Sequence, residues 1–465
     1  MENEANRSAD LFEAAEKGSV NDLKELVNAK ACVDSTNPKG QRPLVIAAEN
    51  GHVAAVKFLL DAKAALDRTD ERKQNNNPVF VACHNGHADV LKVLVDAKAY
   101  VNRYIFGLGM PLTVAARRGY PEIVKLLVGA RAELDVTDND GSTALHIAAK
   151  RQCVDMVKAL IDGKANVNIL DMRYGKSVLS YAVEKNSPDI VQALVAAGAN
   201  VNTRKEHQLN CLSLAAQHGN TAIIQCLLDA KADPHAQDDD GNDAMFWAAL
   251  HGRLDAVKLL YTALDQHRAP DRVKPAMSFA AGCGYVDIVK FLFSMCPLHD
   301  AQDSYVLFHA VRGGNEEIVQ FLVNSGVNLE FREPDDRTVL FHATSLSTMK
   351  LLIDAKANVD AVDKDGQTAL MLACRKYMTF AIQTLLESGA QIDIRNNVGK
   401  TALFYAAQAQ SVMPLKILLA FNASIDVQDA EGRTALMIAA CHPDDGAEMV
   451  TLLLEAAARL IKSNE

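Results

Sequence analysis

A short apolar pattern returns about every 33 residues along almost the whole of this 465-residue chain. Each copy opens on an apolar anchor: Leu11, Leu44, Val79, Leu112, Leu145, Leu179, Leu212, Met245, Met277, Leu307, Leu340, Leu370, Leu403 and Leu436. Successive anchors lie 30 to 35 residues apart, with 33 the commonest step. A unit this short cannot bury its own apolar face, so the copies must stack and draw their stability from contacts between neighbours. Fourteen copies leave no stretch of this chain free for a separate globular domain.

One regular copy shows how the pattern folds. Asp138-Asn139-Asp140-Gly141 reads as a turn, with Gly141 free to take a positive φ. Thr143 is placed to cap a helix, and Leu145, Ile147, Ala148 and Ala149 fall on its inward face. The small Ala148-Ala149 pair lets neighbouring helices come close. A second helix carries Val154, Met156, Val157, Leu160 and Ile161 as its apolar set, and Asn166-Val167-Asn168 ends it. An apolar fraction of 49% with only 6% aromatics suits closely packed short helices better than a sandwich or barrel. The fold class read from the sequence is therefore all-α.

Thr143-Ala144-Leu145-His146-Ile147-Ala148-Ala149 resembles the ankyrin-repeat signature, with Ala144 where the signature has proline. The same resemblance runs through Arg42-Pro43-Leu44, Met110-Pro111-Leu112, Thr368-Ala369-Leu370, Thr401-Ala402-Leu403 and Thr434-Ala435-Leu436. The family resemblance implies helix–turn–helix units joined by finger-like hairpin loops, stacked into a solenoid with a concave face of fingers and inner helices. It also implies a non-catalytic scaffold or adaptor that binds other proteins. A permanent part of a large assembly and a regulatory subunit of an enzyme are the alternatives. Residues 1–465 read as one domain, with an irregular joint at 262–306, where Ala269-Pro270-Asp271 and Cys296-Pro297-Leu298 replace the usual helix ending and finger. The Leu340 copy loses residues between its helices near Ser345-Leu346-Ser347, and Asp70–Asn77 forms a longer polar finger, either extra reach or a tolerated insertion.

Charge and composition exclude several function classes. A net charge of −10 argues against a general attraction to nucleic acid or anionic lipid. No run of about 18 apolar residues suggests a membrane span, and the polar start Met1–Asp10 lacks the basic and apolar regions of a signal peptide. Nine scattered cysteines, none in a C-x-x-C pair, point to free thiols in a reducing, cytoplasmic setting. Cys83 and Cys374 occupy a slot that is alanine in most copies and read as small buried side chains.

No catalytic residue, cofactor-binding residue or metal ligand is expected. Gly107-Leu108-Gly109 lacks the strand–turn–helix context of a phosphate loop, and the thirteen histidines form no H-E-x-x-H or Cys/His cluster. His309 and His342 share one inward slot in adjacent copies and read as core residues, as does Trp247. The sharper signal is electrostatic. In ankyrin repeats the two residues after the small pair face the groove, and three successive copies here give Arg117-Arg118, Lys150-Arg151 and Glu184-Lys185. Arg117, Arg118, Lys150, Arg151 and Lys185 are thus candidate contacts for an acidic segment of a partner protein. A second row of cations, Lys30, Lys63, Lys98, Arg131, Lys164 and Lys231, replaces the glycine that ends the second helix, where the helix dipole favours positive charge by about 0.3–1 kcal/mol.

Overall fold

The computed structural model describes residues 2–66, 77–105, 107–203, 209–264, 269–297, 304–409, 411–441 and 446–463. Of the long Asp70–Asn77 finger only Asn77 lies among them. The described residues contain 27 α-helices and no strand beyond isolated bridges within finger loops. Fourteen repeats would supply fourteen inner and fourteen outer helices; one inner helix, that of the Leu340 repeat, is only a 3-10 turn, Val339–His342.

Most inner helices span six to nine residues, too short to persist alone in water. Capping and packing hold them. Thr143 Oγ1 accepts the His146 N–H at 3.4 Å at the start of Ala144–Lys150. Asn77, Ser177 and Asn210 do the same for their helices. Pro43, Pro78 and Pro111 occupy first-turn positions, where a missing N–H costs nothing. Thirteen of the fourteen anchors are 0–2% exposed. The exception is Leu436, half-buried on the six-residue helix Ala435–Ala440. The first helix runs over Glu2–Lys17, longer than the Leu11–Lys17 segment expected from sequence.

The chain forms two compact units, Met1–Ala244 and Met245–Glu465. In the first, inner helices stack in order, Pro43–Glu49 against Pro78–Asn85, that against Pro111–Arg118, and so on through Cys211–His218. A ladder of side-chain-to-backbone hydrogen bonds ties one repeat to the next. Asp34 accepts from Ala65 N–H (3.0 Å), Asn102 from Glu133 (2.9 Å), Asp135 from Asn166 (2.9 Å), Asn168 from Asn200 (2.8 Å) and Asn202 from Asp233 (3.0 Å). The Asn166-Val167-Asn168 ending is therefore also a joint: Asn166 donates its N–H to the repeat before and Asn168 accepts from the one after. Fingers lean on each other too, and a Cβ at Gly141 (φ +73°) would lie 2.3 Å from the Cβ of Met172.

The second unit repeats the ladder at Glu330–Asn358, Asp360–Gln391 and Asp393–Ser424. Its departures fall where the sequence pattern is irregular. The Met277 repeat has a 15-residue inner helix, Ala269–Cys283, with Pro275 inside it. Trp247, expected in the core, is half-buried, edge-on to Phe246 and stacked on His251. His309 packs against Phe279 and His342 against Phe308. Both imidazoles are held below their ordinary pKa, first by burial and then by the Arg312 charge.

The helix-end cations need a different account from the one the sequence suggests. Lys30, Lys63, Lys98, Arg131, Lys164, Lys231 and Lys356 all take φ between 60° and 71°. Gly198 holds the same slot at +85°. A left-handed conformation costs an L-residue about 1–2 kcal/mol, more than the 0.3–1 kcal/mol the helix dipole returns. Glycine removes that cost and adds roughly 0.5–1 kcal/mol of chain entropy to the unfolded state. Glycine also gives up the dipole contribution, so the terms nearly cancel and Lys63→Gly and Lys98→Gly should each shift stability by less than about 1 kcal/mol in urea unfolding. A loss of about 2 kcal/mol or more in either variant would refute this account.

All nine cysteines are free thiols. Burial pushes the Cys83 and Cys374 thiols well up, and that of Cys211 to about 11, with Ser180 partly opposing the shift. Cys32, Cys283 and Cys441 are exposed. A thiol reagent should label these three first in the folded protein, with Cys83, Cys211 and Cys374 protected until denaturant brings the total to nine. Peptide mapping of a brief labelling that finds Cys83 or Cys374 modified would contradict the buried assignment.

Candidate functional site

The five cations singled out by sequence all lie at the ends of three successive inner helices of the first unit, Pro111–Arg118, Ala144–Lys150 and Val178–Glu184. The structure divides them by slot. The first residue after each small pair turns toward a finger. Arg117 Nη2 donates to Asp138 Oδ2 at 2.8 Å, against a carboxylate only 5% exposed. Lys150 Nζ donates to Ser142 Oγ at 2.9 Å, lies 3.7 Å from Asp171 Oδ2 and sits 4.2 Å from the Tyr181 ring centre. Glu184, the acidic member, accepts from Lys176 at 2.8 Å. The same fold-back over eight residues recurs in Gln41–Glu49 and Gln367–Arg375.

Asp171 anchors the middle of this network. Burial opposes its ionisation, yet hydrogen bonds from the Tyr181 hydroxyl and the Tyr174 and Lys176 N–H groups, with the Lys150 charge, hold its carboxyl below the usual range. Tyr181 is pushed correspondingly upward by burial and by Asp171. His146, beside this cluster, is held below its ordinary pKa chiefly by burial.

The second residue after each small pair behaves otherwise. Arg118 Nη2 donates to His84 Nε2 at 2.7 Å in the preceding repeat. Burial and the Arg118 charge hold His84 below its ordinary pKa, which leaves that nitrogen free to accept. Arg151 Nη1 donates to the Arg117 carbonyl at 2.9 Å and lies over Gly119, where a Cβ would come within 2.6 Å of its Nη2. The exposed Lys185 side chain makes no hydrogen bond or ion pair among the described residues. None of Arg118, Arg151 and Lys185 has a carboxylate partner among the described residues, and all three are exposed. The strip that sequence read as five equivalent cations is therefore two cations held by fingers and three that keep their charge available. Asp140, on the same finger as Asp138, pairs with Arg173 of the next finger at 3.3 Å.

Among the described residues no three His, Cys, Asp or Glu side chains group to hold a metal, and no helix is long and apolar enough to cross a membrane.

Comparison with known proteins agrees with the helix pairs, anchors and fingers. The family model "Ankyrin repeats (3 copies)" matches residues 11–105, 112–205, 212–303, 277–354, 307–396, 342–429 and 378–464. No curated protein matches. Among solved structures, the crystal structure of the human ASB11 ankyrin repeat domain is 28% identical, over 48% of this chain and 98% of that one, with a TM-score of 0.40. Family matches from residue 11 to residue 464, on a stack of helix pairs that repeats with the same period, establish that the chain belongs to the ankyrin-repeat family.

Proposed function

We propose that this protein is a non-catalytic binding scaffold whose Met1–Ala244 unit takes an acidic segment of a partner protein across Arg117, Arg118, Lys150, Arg151 and Lys185. Ankyrin repeats are typically protein-interaction modules, and the observation that carries the finer reading is the division of the strip. Arg118, Arg151 and Lys185 present unneutralised charge from three neighbouring repeats of a chain whose net charge is −10. Arg117 and Lys150 are already ordered by Asp138 and Asp171, so they flank the contact without losing further side-chain freedom. Guanidinium groups suit paired hydrogen bonds to carboxylates. Nine free thiols support a reducing, cytoplasmic setting.

Exposed ion pairs contribute about 0.2–1 kcal/mol each, so the strip acts collectively and salt weakens it. The test uses the full chain and a fluorescein-labelled polyglutamate peptide. Arg118→Glu together with Arg151→Glu should weaken binding about tenfold or more, with a shallower salt dependence. Equal affinity for the wild type and the double variant would reject the site. A partner segment crosslinked only to outer helices would reject it as well.

A further inference from the structure

The Leu340 repeat is shorter than its neighbours at one place. From its anchor to the matching buried residue of the outer helix, Met349, is a step of nine residues; Leu145 to Val157 and Leu370 to Ile382 are steps of twelve. The three missing residues come out of the inner helix. Its backbone makes only the turn Val339–His342, passes through an extended Ala343 (φ −62°, ψ 113°) and enters the outer helix at the Ser345 cap. The neighbouring inner helices, Tyr305–Gly313 and Ala369–Arg375, keep their full length. A cavity of about 260 Å³ remains where the absent turn would have packed.

The floor of this gap is apolar, with Leu340, Met349, Leu372, Ala373 and Met378 among its walls. Its rim carries Arg312, His342 and Lys376, and none of the thirteen lining residues is acidic. Glu333 reaches two of the rim groups from behind. It accepts from Arg312 Nη2 at 2.7 and 3.0 Å and lies 2.7 Å from His342 Nε2, which fixes both side chains at the mouth. Lys376 is exposed and has no side-chain partner among the described residues. Arg312 and Lys376 come from inner-helix ends, the same part of the repeat that carries the basic strip of the other unit.

We propose that this gap is an anchor site for a protein segment that inserts one leucine- or methionine-sized side chain and sets an adjacent carboxylate against Lys376. An apolar floor beside the exposed Lys376 charge selects an acidic segment with a single apolar anchor, since a charged side chain would lose its hydration in the gap and a basic flank would meet Lys376. Two methionines in the walls let the gap adjust to the shape of the anchor. The site belongs to the second unit and stands independently of the strip around Arg118.

The probe is a fluorescein-labelled peptide of sequence Asp-Glu-Leu-Glu-Asp, compared with the same peptide bearing serine in place of leucine, on the full chain. The leucine peptide should bind about tenfold tighter or more. Ala373→Phe, which fills the gap from its floor, should erase that advantage. Thr344→Phe at the exposed rim should do the same without touching the core, so a folding defect in the first variant leaves the test intact. Lys376→Glu should weaken both peptides. In an Arg118→Glu, Arg151→Glu background, where the strip no longer takes either acidic peptide, the leucine peptide should still bind tighter than the serine peptide, which separates this site from the strip. No leucine preference in the wild type, or a preference that survives both filling variants, would overturn the proposal.

Discussion

Leu145→Ala is expected to lower stability by about 2–5 kcal/mol in urea unfolding followed by circular dichroism. Leu145 is 1% exposed. Its helix, Ala144–Lys150, packs against the inner helices on both sides and against its own outer helix, Val154–Asp162. Truncation removes apolar burial and leaves a cavity that three packed elements cannot close without giving up other contacts. In a stacked array the damage spreads, because each repeat is stabilised by its neighbours and the weakened one loosens two interfaces at once. Leu436→Ala makes the same chemical change on a half-buried anchor and should cost clearly less. Equal losses for the two variants would show that burial of the anchor is not what stabilises the repeat.

Gly282→Ala and Gly313→Ala should have opposite signs although the two glycines face each other across one helix pair, Ala269–Cys283 and Tyr305–Gly313. A Cβ on Gly313 would lie 2.2 Å from the Gly282 carbonyl oxygen and 3.0 Å from its carbon, both backbone atoms that cannot swing aside. The helices must separate, at a cost of about 1–3 kcal/mol. A Cβ on Gly282 meets nothing nearer than 3.5 Å, the His309 carbonyl oxygen. There alanine gains helix propensity, up to about 1 kcal/mol. The measurement is the urea midpoint of each variant against wild type. A stable Gly313→Ala variant would mean that the helices do not approach as closely as described.

Features confined to a single repeat were legible in the sequence because they rest on short-range chemistry. Thr143 caps its helix and Gly141 takes a positive φ through the backbone around each of them. The small Ala148-Ala149 pair is fully buried, as its place after an apolar anchor requires. The family resemblance added the stacking direction and the fingers. The left-handed conformation of the Lys63 and Lys98 slots also has a local mark, since Gly198 holds the same position in its own repeat and glycine favours positive φ. The shortened Leu340 repeat was visible as a count of residues; the cavity it leaves was not, because a cavity is set by how far the neighbours relax.

Tertiary structure alone decided which charges are free. Arg117 and Arg118 are adjacent in sequence and look equivalent, yet one meets Asp138, 21 residues on, and the other meets His84, 34 residues back. Nothing in the local pattern distinguishes them; the difference comes from which finger each side chain faces once the repeats are stacked. The same holds for Asn168, a helix ending by sequence and an inter-repeat joint through its bond to Asn200. The period of the sequence set what each repeat must be, because every copy solves the same local packing problem. The stacked neighbours set what each exposed side chain does, because a charge is spent or available according to groups that only the fold brings within about 4 Å.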